Sequence, residues 1–266
     1  MRMFDSHCHL QDERLAAALE AVMARAREAG AAGFACCGTE ESDWDGVAAV
    51  TARFGGVVSS YGLHPWYLGG RSAAWKESLV RRLAAHPKAG VGEIGLDHAI
   101  EPRNDDDQTA VFMDQLTLAR ELSRPASVHC RRAWGTLLEC LSRLGRLEAG
   151  FVVHSFSGAP DVIPALAAFG ARFSFSGSVT YPGNRRARKA LVAVPLDRLL
   201  IETDAPDIPP YPGPAPEGPA LQARKPLNEP ANLARVFRVV VELRHEGEAR
   251  LEEQLWRNAQ ELFGEP

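Results

Sequence analysis

His7 and His9 flank Cys8 directly after Met3-Phe4-Asp5-Ser6, which reads as a short strand. On a strand, residues i and i+2 leave the same face. Two imidazoles are therefore presented together, a pairing that suits one divalent metal ion. Alternation turns Cys8 to the other side, where core packing is its expected role. A lone His-x-His is weak evidence, so the question is whether other metal-seeking side chains occupy equivalent places later in the chain.

They do. His64 follows a third strand pattern, and Glu93 lies in Gly92-Glu93-Ile94-Gly95-Leu96-Asp97 after a fourth. His129 ends a fifth, His154 a sixth, and Glu202-Thr203-Asp204 an eighth. Five of the eight histidines thus fall at strand ends, in company with acidic residues. Singly, each has a structural explanation: Asp97 and Asp204 suit turn capping. His86, His98 and His245 sit in loop or helix-end contexts and receive no chemistry. Jointly the residues point to a metal centre. Four histidines and two carboxylates without a thiolate set suit Zn, Mn, Mg or another first-row ion with open positions. Six ligands are too many for one open catalytic centre but suffice for two ions if one carboxylate bridges. A pair about 3.5–4 Å apart activates water and stabilises both oxygens of an in-line displacement at phosphorus.

The elements that must carry these residues alternate. Strand patterns at Met3–Ser6, Ala32–Cys37, Val57–Tyr61, Lys88–Gly92, Ala126–His129, Phe151–His154, Arg172–Phe175 and Arg198–Glu202 are separated by helical patterns near 13–29, 43–53, 73–85, 108–122, 133–144, 160–169 and 185–193. Such alternation predicts a parallel sheet with right-handed crossovers. Eight units predict an α/β fold closed as a (β/α)8 TIM barrel, whose chemistry sits at the C-terminal strand ends. An open doubly wound sheet is the alternative, but no Gly-x-Gly-x-x-Gly turn follows the first strand. Residues 1–266 read as one domain, with a proline-rich loop at 205–230 and closing helices at 229–245 and 248–262.

Composition narrows the classes further. A net charge of −4 announces no general nucleic-acid field, although two bound dications would add about four positive charges. Five scattered cysteines without a Cys-x-x-Cys pair, and no signal-peptide pattern, are expected of reduced thiols in the cytoplasm. No apolar run reaches the length of a membrane span. Ser155-Phe156-Ser157-Gly158 lacks the leading glycine of a nucleophile elbow, which argues against a serine hydrolase.

The chain resembles the TatD-type metal-dependent deoxyribonucleases of the amidohydrolase-like metallohydrolase superfamily. The matching stretches are Phe4–Leu10, Gly62–Trp66, Gly92–Asp97, Val128–Arg131, His154–Gly158, Glu202–Pro206, Asn228–Pro230, Asn258 and Leu262–Gly264, in family order over nearly the whole chain. The resemblance implies that His7, His9, Glu93 and Asp204 hold one ion. Glu93 would bridge to a second, completed by His129 and His154. It further implies that Asp204 takes a proton from the attacking water and that His64 contacts the phosphate or leaving group. Glu202 and Asn228 would support the ligands and loops. The bridge in amide-hydrolysing superfamily members is often a carboxylated lysine; Glu93 stands there here, which favours the nuclease branch.

The expected function is therefore exonuclease-like hydrolysis of DNA or another phosphodiester by a metal-activated water. Candidate substrate contacts are His64, Trp66, Arg131, Arg185 and Lys225, with Arg132 and Arg186 nearby. The loop after Asp204 is longer and richer in proline than the family pattern, and Lys225-Pro226-Leu227 replaces a more basic run. Two rivals are ester or amide hydrolysis, such as deacylation of D-aminoacyl-tRNA, and a non-catalytic metal-binding protein. The second is weakened by the surplus of ligands, since structural sites close their shells. Oligomeric state is left open, and a monomer is compatible with the chain.

Overall fold

The computed structural model describes residues 1–211 and 227–266. Lys225 and the greater part of the proline-rich loop lie outside them. Among the described residues, eight strands form one sheet in sequence order: β1 Met3–Cys8, β2 Ala31–Cys37, β3 Val57–Tyr61, β4 Gly90–Asp97, β5 Ala126–Arg131, β6 Phe151–Val153, β7 Ala171–Phe175 and β8 Leu199–Ile201. Every paired neighbour is parallel. The Asp204 N–H donates to His7 O at 3.0 Å and the His9 N–H to Ala205 O at 2.7 Å, which brings the end of β8 back to β1. This is the TIM barrel that the alternation implied.

Helices cover the outside: α1 Glu13–Ala16, α2 Leu19–Glu28, α3 Trp44–Arg53, α4 Trp75–Ala85, α5 Asp105–Glu121, α6 Trp134–Leu144, α7 Ile163–Ala168, α8 Arg185–Ala193, α9 Leu233–Arg244 and α10 Glu248–Phe263. They bury one apolar stripe each, as α6 does with Leu137, Cys140, Leu141 and Leu144. At the opposite end from the strand C-termini, Phe4 stacks on Phe263 at 5.4 Å and packs against Trp256 at 6.0 Å, so α10 floors the barrel.

Several boundaries differ from the sequence expectation. The helix expected over 13–29 is two helices, with Ala18 outside helical geometry between them. The acidic run Asp105-Asp106-Asp107 is the first turn of α5 rather than a preceding loop. Three carboxylates there complement the positive end of the helix dipole. The fourth strand extends to Asp97, so Glu93 lies within it. The register pairs Gly95 with His129. A Cβ on Gly95 would stand 2.0 Å from His129 O, so only glycine permits that approach of β4 to β5.

Candidate metal centre

The inward-facing end of the barrel collects the predicted ligands. Glu93 is 2% exposed, and its two oxygens face different histidines. Oε2 lies 3.2 Å from His7 Nε2 and 3.4 Å from His9 Nε2. Oε1 lies 2.8 Å from His154 Nε2, 3.2 Å from His129 Nδ1 and 3.1 Å from His64 Nε2. Asp204 Oδ1 approaches His9 Nε2 at 3.5 Å and His7 Nε2 at 3.8 Å. The donor atoms of His7, His9 and Asp204 lie within 4.8 Å of one another, as do those of His7, Glu93 and His154 and those of His64, Glu93 and His129. Imidazole and carboxylate donors converging at this spacing fit divalent metal ions.

The far side of each ring decides what the near side can do. His9 Nδ1 lies 2.8 Å from Cys37 O, a carbonyl that can only accept, so in the neutral ring Nδ1 carries the hydrogen and Nε2 the lone pair. His129 Nε2 lies 3.1 Å from Asp97 Oδ2, which leaves Nδ1 free to ligate. His7 Nδ1 pairs with Ser127 Oγ at 2.8 Å, and His154 Nδ1 lies 3.6 Å from Glu202 Oε1. Such outer partners fix tautomer and ring orientation in metal sites. His64 is the exception. Its Nδ1 accepts the Trp66 backbone N–H at 3.1 Å, so the neutral ring carries its hydrogen on Nε2, the atom that faces Glu93. In that tautomer His64 presents a hydrogen-bond donor to Glu93.

The carboxylates and histidines of the site shift one another's ionisation. Burial opposes ionisation of Glu93, yet the surrounding histidines hold it well below the usual carboxylate range. Burial pushes His7 and His64 down to about 4. Burial also opposes protonation of His9, but Asp204 and Glu93 outweigh it and raise the ring to about 9. Behind the ligands, burial raises Asp5 to about 8 and Glu202 to about 7. Asp5 accepts the Thr203 N–H at 2.8 Å and its hydroxyl at 2.5 Å, and Glu202 accepts the Ser155 N–H at 2.6 Å and the Ser174 hydroxyl. Asp204 occupies the left-handed region at φ 56, which aspartate tolerates better than most residues. Asn228 steadies that turn by donating through Nδ2 to Thr203 O and Asp207 O, both at 2.8 Å.

The remaining predicted residues fall at the rim. Trp66 is 52% exposed and donates Nε1–H to Asp97 Oδ2 at 2.7 Å. Arg131 closes β5, and Arg185 opens α8; both are exposed, and neither has a side-chain hydrogen bond or ion pair among the described residues. Cys8 is buried, with its thiol directed at Ala35 O.

Sequence reasoning missed several supports. Ser127 and Asp5 lie two residues before His129 and His7 on their strands, so period-two alternation was the available signal. Gln108 and Gln115, on one face of α5, had no such signal. Gln108 accepts the Asp97 N–H and donates to its carbonyl; Gln115 does the same at Leu63. These amides brace the ends of β3 and β4 beside the site. Asp97, which the sequence suits to turn capping, accepts the Ala99 N–H and also pairs with His129.

A closed parallel barrel with histidines and carboxylates converging at its C-terminal mouth is the architecture of a metal-dependent hydrolase. The model of the TatD related DNase family matches residues 4–264, and the chain belongs to that family. It is 32% identical over 267 residues to YjjV of Escherichia coli K12, named an uncharacterized metal-dependent hydrolase, with 100% of this chain and 99% of that protein covered. The crystal structure of that TatD homologue superposes with a TM-score of 0.92 over the same shares. The 3'-5' ssDNA/RNA exonuclease TatD of Erwinia billingiae is 33% identical over 269 residues, covering 99% of this chain and all of the relative.

Proposed function

We propose that this protein is a metal-dependent nuclease that hydrolyses phosphodiester bonds from the end of a single strand. The observation that carries this reading is the division of Glu93: Oε2 faces His7 and His9, and Oε1 faces His129 and His154. His7, His9, Asp204 and Glu93 would hold one ion, and Glu93, His129 and His154 a second. Imidazole-rich donors favour Zn over Mg. When bound, a pair of dications supplies activation of water and neutralisation of charge on the phosphate.

The chain's own groups supply the rest. Asp204, 8% exposed and held low in pKa by His9 and its neighbours against the effect of burial, is positioned to receive a proton from the attacking water. His64 Nε2–H is aimed into the site to donate to a phosphate oxygen. Asp97, Glu202 and Ser127 keep the ligand rings in register. The name of the Erwinia relative supports nucleic acid as the substrate and the 3' end as the point of attack. Among the described residues no helix is long and apolar enough to cross a membrane. The five buried free thiols fit a reducing compartment.

The test is turnover of end-labelled single-stranded DNA and RNA, alongside release of an amino acid from D-aminoacyl-tRNA, by metal-reconstituted protein. Shortening of the oligonucleotides that falls at least about 100-fold in Glu93→Gln and Asp204→Asn is the expected outcome. Intact oligonucleotides with released amino acid would assign the centre to ester hydrolysis instead.

A further inference from the structure

We propose that Trp66 is the platform on which the base of the strand's terminal nucleotide stacks. The inference rests on the nuclease reading and adds a nucleotide subsite to it. Of the chain's five tryptophans, Trp44, Trp75 and Trp256 are buried, and Trp134 is half-buried against Phe156. Trp66 alone is more than half exposed. An indole carries a large apolar surface that folding normally covers.

Its exposure is not looseness. The Nε1–H is tied to Asp97 Oδ2 at 2.7 Å and the backbone N–H to His64 Nδ1 at 3.1 Å. The ring centroid stands 5.1 Å from that of His64 and 6.2 Å from that of His129, at interplanar angles of 88° and 69°. Neither neighbour lies parallel to it. Among the described residues no ring stacks on the indole and no cation lies over it. The site thus holds a rigid aromatic surface beside the groups proposed to receive the phosphate, and the base of a nucleotide hangs one sugar away from its phosphate.

The chemistry of the substrate makes such a surface useful. A nuclease that works along a strand needs a grip indifferent to sequence, and every base offers a π face. Inside a duplex both faces are already stacked, so this platform favours an unpaired end. Asp97 joins the indole to His129, which links seating of the terminal base to the ligand beneath it.

The test uses full-length, metal-loaded protein and a fluorescent single-stranded decanucleotide with phosphorothioate linkages, which resist hydrolysis. One form carries bases at both ends and the other abasic residues at both ends. Anisotropy titrations of wild type are expected to show about tenfold tighter binding of the base-ended form. Trp66→Ala should erase that difference while leaving the salt dependence of binding unchanged, because no phosphate contact is removed. Trp66→Phe should keep most of the difference, although it cannot donate to Asp97. Equal binding of the two forms by wild type, or no binding of either, overturns the proposal. So does a Phe variant that behaves like the Ala variant, since the effect would then run through Asp97. Cleavage of an ordinary oligonucleotide is followed in parallel. Cleavage without Trp66-dependent discrimination refutes the platform and leaves the nuclease reading standing. Discrimination without cleavage does the reverse.

Discussion

Replacing Asp97 probes the least conspicuous part of the metal centre. Its side chain is fully buried, and Oδ2 receives hydrogen bonds from His129 Nε2–H at 3.1 Å and from Trp66 Nε1–H at 2.7 Å. Oδ1 receives the Ala99 N–H at 2.8 Å. Burial would raise this carboxyl, but His129, Trp66 and Ala99 hold it well below the usual range, so it is ionised near neutral pH. An anion there fixes His129 with its hydrogen on Nε2 and its lone pair on Nδ1. Loss of such a partner typically costs about 10- to 100-fold in metal affinity or activity, which is about 1.4–2.7 kcal/mol.

Asp97→Ala strands three donors and belongs at the upper end of that range. Asp97→Asn can keep an oxygen toward His129 and Trp66, but its amide then faces the Ala99 N–H, and the charge is lost; the lower end is expected. The assay is competition for Zn against a chromophoric chelator, with the two proposed equivalents resolved and a thermal melt as a folding control. One equivalent should weaken in each variant while the other changes little. If both variants bind two equivalents with wild-type affinity, the carboxylate does not set the His129 tautomer and the reasoning fails.

Two further outcomes follow from the same geometry. His64→Ala should leave metal stoichiometry intact, measured by elemental analysis, while lowering turnover by about 100- to 1,000-fold, the worth of one preorganised donor; loss of a metal equivalent would show that His64 is a ligand. In metal-free protein His9 is held at about 9, so it is protonated near neutral pH, and a metal must displace that proton to reach the lone pair. Affinity should therefore rise as pH climbs from neutrality toward about 9. Calorimetry in buffers of different ionisation enthalpy should register a released proton, and buffer-independent heats would contradict the assignment.

Much of the centre was legible before folding because strand ends are short-range features. His7, His129, His154 and Asp204 each stand at or just beyond the end of a strand pattern, and a parallel barrel sends all such ends to one mouth. Boundaries were less legible where tertiary contacts override local pattern. Glu93 sits inside β4 because Gly95 allows that strand to run on against β5, which no local propensity announces. The division of the helix expected over 13–29 was equally hidden in an Ala- and Leu-rich stretch.

The amino-acid sequence by itself determined the barrel, the identity of the metal-seeking side chains and the turning of Cys8 away from their face. These depend on periodicity and on residue chemistry, both local properties of the chain. Only the tertiary structure decided what lies behind each ring: Ser127, Cys37 O, Asp97 or Glu202 for four of them, and the Trp66 N–H for His64. Except for that last contact, those partners come from other strands, at separations no spacing rule records. For those four histidines the contact behind the imidazole exists only once the barrel has closed, whereas the contact behind His64 is local.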